Sequence, residues 1–279
     1  MRILNRKDYF YLQHSYRKGT KIITKEIYLG KKIPKNIEEI KTKFKNEIQK
    51  ELTKKLKSIK TNFQKNWSKL PPSAKQREIE ELAINFTYNT NAIEGSTITE
   101  EEARIIIQDG ISPNKPIREV KETEHHSKSF QDILKNKEKI SNKLLLEWHK
   151  NIFNETKPDI AGVFRTYLVR VGNYIAPEPK DIKSLMTSLI KSIENKKINT
   201  VELSAKIHYR FEKIHPFGDG NGRIGRLLMN HILWHSGYPI LIIEYKKRKS
   251  YYKALQKKEE DFVKYFIRRY LSVHKKLLN

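Results

Sequence analysis

The sequence predicts a mainly α protein: a helical body carrying one small β-hairpin, preceded by an N-terminal β-hairpin and a long amphipathic helix. Three observations point there. Apolar residues recur every third or fourth position through successive segments, the spacing of helices with one buried stripe. Only one stretch of the body, residues 164–175, alternates as a strand does. The other β-branched and aromatic runs are gathered before residue 30.

Residues 8–17 and 20–29 are such runs on either side of Lys18-Gly19 and read as one hairpin. After Pro34, apolar residues fall at Ile37, Ile40, Phe44, Ile48, Leu52, Leu56, Ile59, Phe63, Trp67 and Leu70, with Asn36 as N-cap and Pro71-Pro72 as a stop. At about 1.5 Å per residue this helix reaches roughly 50 Å, and its stripe must pack on another element or another chain. Ser73 and Gln76 have the spacing of a capping box, opening a helix through Ile79, Leu82, Phe86 and Ile93 that Gly95 closes. Thr99 and Glu102 open the next. Further helical patterns cover about 118–135, 141–154, 180–195, 200–214, 223–236 and 250–277. The alternating stretch 164–175 is interrupted by Gly172-Asn173, a good short turn. The chain thus divides into a basic hairpin and long helix over 1–70 and a helical domain over 71–279, ending in a basic C-terminal helix.

The 279 residues contain no cysteine, which excludes disulfides, thiolate nucleophiles, thiolate zinc sites and iron–sulfur clusters. Catalysis would have to use nitrogen and oxygen groups. No apolar run reaches the roughly 18 residues of a membrane span. The opening MRILNRKDYFYLQH is broken by Asp8 and His14 before a secretory apolar region could form, so the expected location is cytoplasmic. The net charge is +25, of which residues 1–70 carry +14 and residues 246–279 carry +9, leaving the middle nearly neutral. Any polyanion binding therefore belongs to the flanks and should be weak and sequence-independent. The scatter of the lysines favours solvated faces over a specific basic patch.

The chemistry is concentrated in residues 215–226, His-Pro-Phe-Gly-Asp-Gly-Asn-Gly-Arg-Ile-Gly-Arg. Glycines around Asn221 leave backbone N–H groups free to converge, and Ile224, Leu227 and Leu228 start a helix directly after them. A Gly-rich turn feeding a helix N-terminus is an anion cradle. Arg223 and Arg226 share a face of its first turn, and two guanidiniums with a ring of amides favour a polyphosphate over one carboxylate. Asp219 is the segment's only carboxylate and suits a Mg²⁺ shared with phosphate oxygens. His215 is the titrating base nearest to it.

This segment resembles the signature of the Fic (Fido) family, His-x-Phe-x-Asp/Glu-Gly-Asn-Gly-Arg-x-x-Arg, at every specified position. The resemblance extends over most of residues 73–270. Residues 162–165 and 169–177 look like the segment leading into the family's β-hairpin flap, with Ala176 where relatives often carry a second proline. Tyr251-Tyr252 resembles the adenine-side element. It implies transfer of AMP from ATP, with Mg²⁺, to a Ser, Thr or Tyr hydroxyl of a target protein. His215 would be the base and Asp219 the metal ligand. Gly220, Asn221, Gly222, Arg223, Ile224, Gly225, Arg226, Tyr251 and Tyr252 would hold the nucleotide, and the flap residues Val171, Gly172, Asn173 and Tyr174 would clamp a target strand. Upstream, residues 90–95 resemble the inhibitory pattern Ser/Thr-x-x-x-Glu-Gly/Asn of the class restrained by an N-terminal helix, here spanning 73–95. Thr90 and Glu94 share a helix face, so Glu94 would reach Arg226 and take the guanidinium meant for the γ-phosphate. Self-modification and a homo-oligomer are both compatible with this resemblance.

Two other functions fit the sequence: removal of AMP at the same site with Glu94 activating water, and a nucleic-acid-associated regulator acting through the basic flanks. Against the second, no zinc finger, helix-turn-helix or aromatic RNA-binding pattern is legible. His149 and His208 have apolar neighbours and read as core histidines. His231 and His235 lack the Glu and third ligand of a zinc helix and also read as structural. His125-His126 reads as polar helix surface.

Overall fold

Alternating apolar residues at the N-terminus build three strands, one more than the hairpin expected. β1 (Arg2–Arg6), β2 (Tyr9–Lys18) and β3 (Lys21–Gly30) form an antiparallel meander in that order. β1 escaped the sequence reading because its turn is made by Lys7 and Asp8, both at positive φ (47° and 67°), where an Asn-Gly pair would have announced a hairpin. The computed structural model describes residues 1–18, 21–194 and 197–278, so the expected turn at Lys18-Gly19 lies partly outside the described residues. The chain forms two compact units, Met1–Asn62 with the segment from Arg268 onward, and Phe63–Ile267.

In the first unit the sheet's Leu12, Leu29, Ile3 and Phe10 pack with Phe44, Ile37, Ile40 and Ile48 of helix α1 (Ile37–Lys69). This is where the stripe of the long helix begins to be buried. At its other end, within the second unit, Phe63 and Trp67 meet the Trp234 ring at 5.7 and 5.1 Å between centroids.

The second unit is helical. α2 (Pro72–Ile93) begins at Pro72, and no side chain caps it, so the Ser73–Gln76 capping box does not form. Pro72 sits in the first turn, where a missing N–H costs nothing and its fixed φ suits the helix, so the helix starts ahead of Ser73. α3 (Glu100–Arg104) has the expected Thr99–Glu102 capping box and continues as a π-helical turn, Ile105–Asp109. α4 (Ile117–Lys135) and α5 (Asn142–Phe153) follow, then a flap of two-residue strands, β4 (Arg170–Val171) and β5 (Tyr174–Ile175), paired antiparallel. α6 (Ile182–Ile193), α7 (Thr200–Ile214) and α8 (Asn221–His235) complete the core. The pattern over 250–277 divides into α9 (Arg248–Leu255) and α10 (Glu259–Val273). Glu259, Glu260 and Asp261 favour the positive end of a new helix, and the Lys258 carbonyl accepts the N–H groups of Asp261 and Phe262.

α7 and α8 pack against each other at the centre, burying Ile207, Phe211, Ile224, Leu227 and Leu228 with Phe86 of α2. α4 meets α2, α5 and α8, so more than one stripe of it is covered. His126 is therefore buried, stacked on Phe86 and bonded to Thr87 Oγ1 at 3.1 Å, which corrects the expected polar surface; His125 stays near Glu155. His231 and His235 bond the Glu138 and Ile133 carbonyls, as structural histidines should. Among the described residues no helix is long and apolar enough to cross a membrane.

Candidate active site

The loop between α7 and α8 is held from three directions. His215 caps α7 at φ 51°, ψ 60°, a left-handed conformation that costs a non-glycine residue about 1 kcal/mol or more and must be held by its surroundings. Arg165, 4% exposed, does this. Its guanidinium donates to the carbonyls of His215 (2.8 Å), Tyr167 (2.7 Å) and Pro177 (2.8 Å), tying the motif to both ends of the flap. Within the loop, the Asn221 carboxamide accepts from the Phe217 N–H (2.8 Å) and donates to the Phe217 carbonyl (2.9 Å). From below, His149 Nδ1 accepts the Gly162 N–H at 3.0 Å, so Nε2 carries the proton and donates to the Asp219 carbonyl at 3.0 Å. Burial pushes this imidazole down to about 4, keeping it neutral in that tautomer.

Gly220 turns the chain at φ 75° with the Phe153 ring against it; a Cβ there would stand 2.4 Å from a ring carbon. Gly220→Ala should therefore destabilise the fold by about 1–3 kcal/mol, read as a lowered thermal midpoint. A midpoint equal to wild type would mean the loop is not packed as described.

Nδ1 of His215 faces the Glu212 carbonyl at 3.3 Å; a carbonyl only accepts, so the proton sits on Nδ1. Nε2 has no partner among the described residues and carries the free lone pair. Burial lowers the His215 pKa below the ordinary 6.5, outweighing the Glu212 carbonyl, which raises it. The imidazole is thus a neutral base at neutral pH.

In the second turn of α8, Arg226 is 1% exposed and its Nη2 meets Glu94 Oε1 at 2.6 Å. Nε and Nη2 also donate to Thr90 Oγ1 and the Thr90 carbonyl, both at 3.2 Å. Burial alone would lower the Arg226 pKa, but Glu94 beside it raises it above its ordinary value. Glu94 is placed by the end of α2: Gly95 N–H bonds the Ala92 carbonyl and Ser96 N–H the Asn91 carbonyl, a Schellman closure with Gly95 at φ 93°. Its carboxylate lies over Gly222, where a Cβ would come within 2.2 Å of Oε1. The same bare backbone that exposes the first N–H groups of α8 leaves room for this carboxylate.

Asp219 is half exposed. Its Oδ1 accepts the Gly220 N–H at 2.6 Å and its Oδ2 meets Lys157 Nζ at 2.5 Å. Lys157 also reaches Glu122 at 3.1 Å, and Glu122 in turn pairs with Arg223. Among the described residues no cluster of three or more His, Asp or Glu forms a metal cage. One half-exposed carboxylate beside an anion cradle still fits Mg²⁺, which keeps most of its shell as water and phosphate oxygens.

Residues 139–233 match the Fic/DOC family, a span that contains the flap, the loop and most of α8. This chain carries a Fic/DOC domain. Protein adenylyltransferase Fic of Nematostella vectensis is 32% identical over 201 residues, covering 69% of this chain and 47% of that protein. The protein of that name from Drosophila erecta is 34% identical over 204 residues, covering 70% and 41%. The chain spans less than half the length of these curated relatives. Among solved structures, Fic-1 from C. elegans (residues 134–508) has a TM-score of 0.70 at 26% identity, covering 87% of this chain and 76% of that one. A Fic domain containing signalling protein from Bacteroides thetaiotaomicron has the same fold, with a TM-score of 0.69 at 24% identity over 80% of this chain and 96% of that one.

The Fic domain brings His215, Asp219, Gly222, Arg223 and Arg226 around one loop and helix end, and α2 adds Thr90 and Glu94. Other expected nucleotide residues are turned elsewhere. The Ile224 side chain is in the core, Gly225 lies against Glu212 and His208, and the Asn221 side chain is committed to Phe217. Tyr251 is 1% exposed, with its hydroxyl on His208 Nε2 at 2.7 Å. Tyr252 is exposed and donates to the Ile93 carbonyl beside Glu94. Gly172 and Asn173 form the flap's tip; Val171, Tyr174 and Ile175 are exposed on it, and Tyr174 is anchored to the Lys213 carbonyl at 2.9 Å. Sequence reasoning missed Arg165, Glu122 and Lys157 as site residues and placed His149 only in the core.

Proposed function

We propose that this Fic domain transfers AMP from ATP to a side-chain hydroxyl of a target protein, and that Glu94 restrains it. One observation carries the reading: the buried guanidinium of Arg226 is given over to a carboxylate lying on the helix end that would otherwise receive phosphate, while His215 Nε2 beside it is free. The names of the relatives point to the same activity.

His215 Nε2 would take the proton of the attacking hydroxyl, whose oxygen bonds the α-phosphorus as the bond to the β-phosphate oxygen breaks and pyrophosphate leaves. The N–H groups at the start of α8 and the Arg226 guanidinium would hold charge on the phosphates. Mg²⁺, when bound, would neutralise phosphate charge, with Asp219 as its protein ligand. Arg165 keeps His215 in register with the flap, whose exposed strands would pair with a target segment. Tyr252 offers the exposed ring for the adenine.

Because burial holds His215 below its ordinary pKa, the base stays deprotonated through neutral pH. For the Glu94→Gly protein, kcat/KM for transfer should be level from pH 8 to pH 7 and fall only below about 6.5. A decline already under way between pH 8 and pH 7 would contradict this.

ATP labelled at the α-phosphorus tests the function, with γ-labelled ATP as the comparison. The α-label should become acid-stable on protein, on a partner or on the chain itself, and the γ-label should not. Incorporation of the γ-label would mean phosphoryl transfer, and release of AMP from an AMP-bearing protein without incorporation would mean the reverse reaction.

A further inference from the structure

We propose that Lys157 is a tethered cation that competes with the divalent ion for the Asp219 carboxylate, and so sets how far metal strengthens nucleotide binding. The inference rests on the adenylyl-transfer reading above. Both carboxylate oxygens of Asp219 are engaged: Oδ1 by the Gly220 N–H at 2.6 Å, Oδ2 by Lys157 Nζ at 2.5 Å and, farther off, by Arg223 Nη2 at 3.8 Å, whose guanidinium is held mainly by Glu122. An incoming ion must share an oxygen with one of them or displace it, and beside an ammonium on the same oxygen sharing is opposed by like charge. The amide cannot yield, because Gly220 is fixed in a left-handed turn against Phe153. The ammonium, on a flexible stem, can.

Its retreat is already built. Lys157 Nζ is 3.1 Å from Glu122 Oε1, and the ammonium lies 5.0 Å from the centre of the Phe153 ring. The Glu122 side chain is 10% exposed and also holds Arg223 and the Thr156 hydroxyl, so it remains an anion fixed in place. Lys157 can give up Asp219 without losing a partner and without leaving the Phe153 ring. A salt bridge serving the fold alone would need only Glu122, which Arg223 already neutralises. The second contact, to a half-exposed carboxylate at the cradle, is the one that bears on a ligand.

Removing the ammonium has two consequences of opposite sign. It leaves Asp219 Oδ2 with only the more distant Arg223 and so opens it to metal, and it withdraws a positive charge from the region of the phosphates, which weakens ATP with or without metal. The ratio of ATP dissociation constants measured in EDTA and in saturating Mg²⁺ cancels the second effect and isolates the first. Calorimetric titration of ATP into the Glu94→Gly protein provides it. Lys157→Met, which keeps the stem over Phe153, should raise the ratio about two- to fivefold, the size of a partly exposed ion pair. Lys157→Arg, with a fork able to hold both carboxylates, should lower it, and it carries the test should the Met variant fail to fold. In Asp219→Asn the ratio should fall towards one and become insensitive to position 157. An unchanged ratio in Lys157→Met or Lys157→Arg, with ATP still bound, would overturn this inference alone. A Glu94→Gly protein that binds no ATP would overturn the proposed function and this inference with it.

Discussion

His215→Ala should abolish AMP transfer while leaving ATP affinity within a few-fold of the parent protein. The imidazole is held by its backbone, through Arg165 on the His215 carbonyl, and by Nδ1 on the Glu212 carbonyl. Its Nε2 is therefore left without a partner among the described residues, and in the proposed site the phosphates are held by the start of α8 and by Arg226 instead. Loss of a general base typically lowers the rate about 10²- to 10⁴-fold. Measuring incorporation of α-labelled AMP and ATP affinity on the same preparation separates the two roles. If both were lost together with the thermal midpoint unchanged, His215 would be part of the nucleotide site and the assignment of base would be wrong.

Arg226 is where the second large effect is expected. Glu94→Gly removes the carboxylate, yet Thr90 Oγ1 and the Thr90 carbonyl still hold the guanidinium, so the site is left ordered for a phosphate. Freeing a charge-assisted hydrogen bond of about 1.5–3 kcal/mol should raise AMP transfer about 10- to 100-fold. Arg226→Ala in that background should cancel the gain, because the phosphate contact is lost whichever partner was there before. Its burial means the substitution also leaves a cavity and unpaired acceptors on Thr90. Arg226→Lys, which keeps the charge and much of the volume but not the fork, should recover the fold and only part of the activity. Full activity in Glu94→Gly/Arg226→Ala would show that the guanidinium does not bind the nucleotide.

The parts of this site that sequence reasoning reached are those whose geometry is local. A Gly-rich turn entering a helix fixes Asp219, Gly222 and Arg226 relative to one another, and an i, i+4 spacing fixes Thr90 relative to Glu94 whatever the tertiary structure. The Glu94–Arg226 contact could be expected only through the resemblance of both segments to one family. Glu122, Lys157 and Asp219 meet from α4, the turn after α5 and the loop before α8, and nothing in the spacing of a Glu, a Lys and an Asp announces that. Arg165 was visible as part of a family segment, but its hold on the carbonyls of the motif and the flap depends on the flap folding back over the motif. The helices followed from periodicity, whereas their breaks did not: Leu255 and Phe262, on either side of the gap between α9 and α10, keep helical phase across it, and only the acidic first turn of α10 betrays it. β1 was lost because its turn, Lys7-Asp8, lacks the glycine that marks a two-residue hairpin turn in a sequence.

The central claim is that an active adenylyltransferase site is held shut by one carboxylate. Intact-mass measurement of the wild-type and Glu94→Gly proteins, incubated side by side with ATP and Mg²⁺ and with an added acceptor protein, tests it most directly. AMP should be added in the Glu94→Gly reaction, at least about tenfold above wild type. Equal AMP addition by the two proteins would contradict it and leave residues 90–95 as an ordinary helix end.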